Sequence, residues 1–435
     1  MDLRATEGVA SRFQAYIEHL KGAVGHADRQ EPLAAYCTGL LLPGERKSVE
    51  PMAARIAPDK VSAKHQSLHH FVAKAAWDEA ALLGAVRAFV LPNMEHKAPI
   101  RAWIVDDTGI PKKGRHSVGV ARQYCGELGK QDNCQVAVTL SVANDYVSLP
   151  IAFQLYLPES WANDMARRGK AGVPEEVRFK TKPQIALDQI RQAIADGAPK
   201  GVALADAGYG NDTGFRTGLT ELGLAYVVGV QGSTAVWAPG TAPQPAKPWS
   251  GQGRPPKLLR RDGKAKPVKL SALAKALPRK AWKTVRWREG STGDLVSRFA
   301  AVRIRPSHRD YWRAEAWPEE WLLIEWPENE HAPAKYWLST LPASTPIRKL
   351  VETAKLRWRI ERDFQDLKQE IGLDHYEGRG WRGFHHHGAL SIAAYGFLVA
   401  ERSPIPPSAP FIKAFRAHVP SGNETRRPRG GANPA

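Results

Sequence analysis

The sequence predicts an α/β protein: a mixed sheet flanked by helices, preceded by a helical segment and interrupted by a β-rich insertion. Three observations carry this reading. Apolar residues recur at helical spacing over residues 1–95, strand-like runs alternate with a helical stripe over 96–230, and further strand-like runs fill 231–342 before helical spacing returns. The 435-residue chain, 43% hydrophobic and 24% charged, has room for several domains around a sizeable core.

Composition narrows the function. The opening Met-Asp-Leu-Arg-Ala-Thr-Glu holds no apolar run of the secretory type, and no stretch nears the ~18 apolar residues of a membrane span. Cys37, Cys125 and Cys134 are too few and too scattered for a disulfide framework, so a cytoplasmic, reducing setting is expected. The balance of 62 Lys and Arg against 44 Asp and Glu gives a net charge of +18, which points to a polyanionic partner, most often nucleic acid. That charge is concentrated: between Arg254 and Asp310 there are 17 Lys and Arg against 4 acids, a net +13.

Residues 1–95 show helical spacing in Phe13-Ile17-Leu20 and in Phe71-Ala75-Leu82-Val86-Phe89. Pro43 and Gly44 stop any helix between these runs. His65, His69 and His70 lack a companion carboxylate or cysteine, so a metal site is not expected there. The segment is expected to be a small helical domain that contacts DNA.

Residues 96–230 read as the first part of the mixed α/β core. The apolar run Arg101-Ala-Trp-Ile-Val105 leads directly into Asp106-Asp107-Thr108-Gly109. A Gly- and Lys-rich loop containing Lys112 and Lys113 follows, then strand-like runs over Val136–Val142 and Val147–Leu157 with a hairpin turn between them. Thr181 to Asp196 reads as a helix with Ile185, Leu187, Ile190 and Ile194 on its buried stripe. Gly201-Val-Ala-Leu-Ala205 is wholly apolar, the mark of a strand covered on both faces, and it delivers Asp206 to a sheet rim. Ala225 to Val230 is the next strand.

Residues 231–342 form the insertion. Pro239 to Pro267 is rich in Pro, Gly and Lys and reads as loop. Strand-like runs follow at Trp282–Trp287, Phe299–Ile304, Trp321–Trp326 and Lys335–Ser339. Trp282 and Trp287, set among Arg286, Arg288 and neighbouring lysines, make a basic and aromatic surface suited to DNA, or they are core residues of a small sheet.

Residues 343–400 return to helix. Leu356, Ile360, Phe364, Leu367 and Ile371 form one apolar stripe over a helix from about Pro346 to Ile371. At about 100° per residue, Arg357, Glu361 and Lys368 share a narrow stripe beside it. The stripe suits a site that holds metal and polyanion, and it equally suits a surface helix with i,i+4 ion pairs. His385, His386 and His387 are consecutive and point apart, so they are expected to serve structure or phosphate contact. Residues 401–435 are expected to be a disordered tail.

The order of three strands, helix, strand ending in Asp, helix and strand is that of an RNase H-like core. An acid on the first strand and one after the fourth then lie on adjacent strands, and a third on a later helix closes over both. Three carboxylates converging at ~4–6 Å repel one another unless cations neutralise them. An all-oxygen set suits Mg²⁺, with Mn²⁺ as substitute, and two such ions about 3.5–4 Å apart serve phosphodiester chemistry.

The same residues resemble a family. The chain is similar to bacterial insertion-sequence transposases of the DDE superfamily, the group with a β-strand insertion between the second Asp and the Glu. Arg357, Glu361 and Lys368 match the last three positions of that group's Tyr-x2-Arg-x3-Glu-x6-Lys signature, while Ala354 stands where the Tyr is usual. Ala205-Asp206-Ala-Gly-Tyr-Gly210 resembles its second-Asp motif and Val105-Asp106-Asp107-Thr108-Gly109 its first. The family form favours Asp106 as first acid, with Asp107 as an alternative register.

The resemblance implies that Asp106, Asp206 and Glu361 ligate two Mg²⁺ ions. It also implies phosphate contacts from Arg357 and Lys368, cleavage at an element's ends with transfer of 3′-hydroxyls into double-stranded target DNA, and a homodimer on paired DNA ends. It places the protein in a bacterial cytoplasm, on the nucleoid when bound to DNA. The rival expectations are a catalytically idle DNA-binding descendant and an RNase H-like nuclease.

Overall fold

The computed structural model describes residues 8–290 and 293–403. The expectation of a disordered tail over 401–435 falls, from residue 404 on, outside the described residues. The N-terminal segment is helical: α1 (Val9–Lys21), α2 (Gln30–Leu41), α3 (Val49–Ile56), α4 (Val61–Ala73) and α5 (Glu79–Lys97). Of the residues at helical spacing, Ile17, Leu20, Phe71, Ala75, Leu82 and Val86 are buried, while Phe13 and Phe89 are partly buried and Tyr16 and Val90 fill the core beside them.

The core follows as β1 (Ala102–Pro111), β2 (Ala121–Cys125), β3 (Lys130–Ala143) and β4 (Ser148–Leu155), then α6 (Glu159–Ala162), α7 (Met165–Ala171) and α8 (Lys182–Ala195). It continues through β5 (Val202–Ala205), α9 (Ala207–Gly210), α10 (Thr213–Glu221) and β6 (Tyr226–Val230). α8 starts where Thr181 and Gln184 close a reciprocal capping box. β3 lies antiparallel between β1 and β4, and β5 lies parallel between β1 and β6, an RNase H-like order. β5 and β6 are buried nearly throughout, as an apolar strand covered on both faces must be.

The insertion contributes β7 (Ala235–Trp237), β8 (Val268–Lys269), α11 (Leu270–Ala276), β9 (Lys283–Gly290), β10 (Gly293–Pro306), β11 (Glu320–Trp326) and β12 (Lys335–Ser339). Residues 239–267 carry almost no regular structure. The insertion does not stand apart. β12 pairs antiparallel with β6, from Tyr336↔Val230 to Ser339↔Val227, so its strands prolong the core into a 12-stranded sheet.

The expected single helix over 346–371 is broken in two. α12 (Ile347–Lys355) packs on the insertion strands, and α13 (Trp358–Asp366) packs on β4 and β1, so a turn at Leu356–Arg357 lets each half follow its own partner. One π-helical turn, Leu367–Ile371, then ends at Gly372 with φ 83°. The last helix, α14 (Trp381–Arg402), runs between the N-terminal helices and the sheet. Tyr16 donates its hydroxyl to the Ala393 carbonyl at 2.8 Å, and Phe384 stacks on Phe153 of β4. Buried on all sides, α14 has no polar face to show. Among the described residues no helix is long and apolar enough to cross a membrane.

Candidate active site

The first acid comes from the bend in burial along β1. Val105 is buried, Asp106 and Asp107 are partly exposed, and alternation sends the two carboxyls to different neighbours. Asp106 accepts from Arg357 Nη1 at 2.7 Å. Asp107 instead pairs with Lys182 Nζ at 2.8 Å and receives the Tyr209 hydroxyl at 3.4 Å. Burial pushes the Asp106 carboxyl up to about 7; Arg357 opposes the rise, and Asp206 and Asp107 add to it.

Asp206 sits at the end of β5, the parallel neighbour of β1. It caps α9, with Oδ1 accepting the Gly208 amide at 2.8 Å and the Tyr209 amide at 3.3 Å. The turn is held close to β6: a Cβ at Gly210 would lie 1.9 Å from the Gly229 carbonyl oxygen, so only glycine fits there.

Glu361 lies in the first turn of α13, and its Oε1 accepts from Arg357 Nη2 at 2.8 Å. One guanidinium therefore bridges Asp106 and Glu361. Burial works against the charge on Arg357, but Asp106 and Glu361 outweigh it and hold its pKa above the ordinary value. Asp206, Arg357 and Glu361 line a groove of about 700 Å³, whose other wall holds Trp287, Arg288, Lys335 and Trp337 from the insertion.

The remaining predicted residues fall into distinct places. Arg288 lays its guanidinium 3.7 Å over the Trp358 ring, at the groove. Trp287 packs edge-on against Phe299 at 5.5 Å, and Trp282 edge-on against Trp326 at 5.2 Å, so both tryptophans also serve the insertion's packing. Arg286 is exposed and paired with Asp294. Lys368 donates to the Gly109 carbonyl at 2.7 Å and pairs with Glu127, at the far end of β1 rather than in the groove. Lys112 donates to the Tyr376 carbonyl at 2.7 Å, whereas Lys113 is exposed. Ala354, at the usual Tyr position, is buried at the groove wall.

Other residues gave no signal in the sequence. Lys355 is largely buried, holds both oxygens of Glu325 at 2.7 Å and lies 4.4 Å over the Trp287 ring, pinning α12 to the insertion. Lys182 and Tyr209 occupy Asp107. Neither pairing has a local spacing that would reveal it. The three consecutive histidines are structural. His385 accepts the Leu155 amide, His386 lies between the Val72 and Trp77 carbonyls, and His387 meets the Tyr36 hydroxyl and the Gly372 carbonyl.

Asp106, Asp206 and Glu361 offer oxygen donors alone, the set that suits Mg²⁺ or Mn²⁺. Among the described residues no three acids, histidines or cysteines form a closed metal cage, and at this site the Arg357 guanidinium stands between Asp106 and Glu361. The donors fit a divalent ion in chemistry: a buried carboxyl held near 7 beside a second acid gains from added positive charge.

Comparison with known proteins decides the family. The model of the DDE superfamily endonuclease family matches residues 19–294, a stretch that includes Asp106 and Asp206. The chain belongs to that family. A probable transposase for insertion sequence element IS701 from Microchaete diplosiphon is 32% identical to this chain over 188 residues. The match spans 43% of this chain and 45% of that relative, less than half of either. Glu361 lies beyond the stretch matched by the family model, so its place in the site rests on the Arg357 bridge and the shared groove.

Proposed function

We propose that the chain is an insertion-sequence transposase, which cuts DNA at the ends of an element and joins the 3′-hydroxyls to double-stranded target DNA. The observation that carries the reading is the meeting of Asp206, Glu361 and the Asp106-bound Arg357 at one basic, aromatic groove. Asp106, Asp206 and Glu361 would hold two Mg²⁺ ions, with Mn²⁺ able to substitute, and bound ions would supply the positive charge that phosphodiester cleavage and joining require.

The chain's own residues do the rest. Arg357 and Arg288 pair with phosphates of the strand being cut, as guanidinium forks do. Lys368 steadies the end of β1 through the Gly109 carbonyl, and the exposed Lys113 and Arg286 extend the phosphate track. The net charge of +18 supplies the general attraction to DNA. The active form is a homodimer on two paired ends, in the cytoplasm of a bacterium.

The test is incubation with a duplex carrying the element's terminal inverted repeat. The reading predicts cleavage at the repeat's end that EDTA stops and Mg²⁺ or Mn²⁺ restores. Equal cutting of an unrelated duplex or of an RNA–DNA hybrid would make the protein a general nuclease. Binding without any cleavage would make it an idle descendant.

A further inference from the structure

The loop between β10 and β11, Ser307-His-Arg-Asp-Tyr-Trp-Arg-Ala-Glu-Ala-Trp317, is built more firmly than a surface loop requires. Asp310, fully buried, accepts the Trp237 indole N–H at 2.6 Å and the Arg261 Nε at 2.8 Å. Trp317 donates to the His308 carbonyl at 2.9 Å and stacks on the His308 ring at 4.5 Å. Arg309 has φ 48°, the one non-glycine residue with positive φ among the described residues. Past that turn Asp310 points inward, and the two side chains after it, Tyr311 and Trp312, point outward.

Those side chains are aromatic and open to solvent. Tyr311 is 41% exposed and Trp312 64% exposed, the rings meeting edge-on at 5.3 Å. Guanidinium groups surround them: Arg261 lies 4.9 Å over Tyr311, Arg309 5.6 Å over Trp312, and Arg313 3.7 Å over Trp317. Arg309 and Arg313 have no carboxylate partner among the described residues. Arg313 Nε donates to the Glu315 carbonyl at 3.2 Å, but neither arginine's charge is met by a carboxylate among the described residues. An exposed tryptophan beside such arginines matches a strand of nucleic acid, with charge for the phosphates and a ring face for a base. An apolar protein surface would leave those cations without partners.

The knuckle also lies along the line of the catalytic groove. Beside it is a second groove of about 290 Å³, lined by Asn211, Arg216, Thr234, Arg261 and His308. Asn211 follows the Asp206 turn directly and accepts the Gln231 amide at 2.9 Å, while Gln231 and Gly232 belong to the catalytic groove. The two grooves thus meet across residues 231–234. We infer that the Tyr311–Trp312 knuckle, with Arg309 and Arg313, binds an unpaired stretch of the DNA strand that runs on from the catalytic groove. This rests on the transposase reading given above.

The test compares a blunt duplex with the same duplex bearing a single-stranded thymidine tail, by fluorescence anisotropy. Trp312→Ala lowers affinity for the tailed duplex about tenfold and leaves the blunt one within about twofold, since one base–aromatic stack is lost. Arg309→Gly relaxes the positive φ, so it folds, and it lowers the salt slope of tailed-duplex binding by about 1. Unchanged binding in both variants, or an equal loss on both probes, overturns the inference. So does a Trp312→Ala protein that loses self-association without DNA, since the knuckle would then seat a second copy. If the wild type binds neither probe, the transposase reading itself fails. If it binds both and Trp312→Ala is silent, only this inference fails.

Discussion

The helix that carries Glu361 is fastened by a buried acid on its other face, and that fastening can be measured. Asp363 is 1% exposed, and its Oδ1 accepts Ser148 Oγ of β4 at 2.6 Å and the Tyr395 hydroxyl of α14 at 2.9 Å. Its Oδ2 has no hydrogen-bond partner. Burial pushes this carboxyl from 3.8 up to about 6, with Ser148, Tyr395 and Arg359 opposing the rise. A rise of that size corresponds to a penalty of about 3 kcal/mol on the charged form at neutral pH.

Asp363→Asn keeps the acceptor and removes the buried charge, whereas Asp363→Ala strands two buried hydroxyls at about 1–3 kcal/mol each. The alanine variant is therefore expected to be about 3 kcal/mol less stable than the asparagine variant, by urea denaturation at pH 7. Linkage gives a second signature. Between about pH 4 and 6 the folded chain holds this proton and the unfolded chain does not, so its contribution to stability falls as pH rises, and Asp363→Asn removes that slope. Equal stability of the two variants, or an unchanged slope, would refute the reasoning.

Three further outcomes are expected. Burial holds His385 and His387 down to about 4, and in each ring one nitrogen accepts a hydrogen bond, which fixes the neutral form. The unfolded chain takes up those protons first, so stability falls as pH drops from about 6.5 to about 4, by up to roughly 3 kcal/mol per histidine. With His386 shifted the same way, this outweighs the opposite slope of Asp363 and is read from urea midpoints at both pH values. Gly210→Ala drives a Cβ into the Gly229 carbonyl and is expected to cost about 2–4 kcal/mol, while Gly169→Ala, inside α7 with nothing within 4 Å, is expected to gain about 0.5–1 kcal/mol and raise the melting temperature slightly. Asp107→Asn, at the residue tied to Lys182 and Tyr209, retains strand cleavage under conditions where Asp106→Asn loses it.

The parts of this protein legible in its sequence are those set by local periodicity. The wholly apolar β5, the α8 stripe with its Thr181 cap, and Asp206 at a strand end follow from which residues must be covered, whereas β1 runs on past Asp106 to Pro111, so the first acid lies mid-strand rather than at the expected strand end. β2 carries no local strand signal, because Ala121–Cys125 is half polar and makes sense only when paired with Lys130–Cys134. The union of the insertion with the core through β6 and β12 is a long-range pairing that no local pattern specifies. The break at Leu356–Arg357 was equally hidden, since the apolar stripe continues across it and only the differing partners of α12 and α13 require it. At the site, spacing put Arg357, Glu361 and Lys368 on one stripe. Folding sends Arg357 to Asp106 and Lys368 to Gly109, a split decided by β1 rather than by the helix.

The account's central claim is that Asp106, Asp206 and Glu361 act as one catalytic unit. Single-turnover cleavage of terminal-repeat DNA in Mg²⁺ tests it, with Asp106→Asn, Asp206→Asn, Glu361→Gln and the triple variant compared in one series. Residues that act as a unit are non-additive, so each single variant should lose nearly as much rate as the triple. Any one of them cleaving within about tenfold of wild type, or losses that simply add, would contradict the claim.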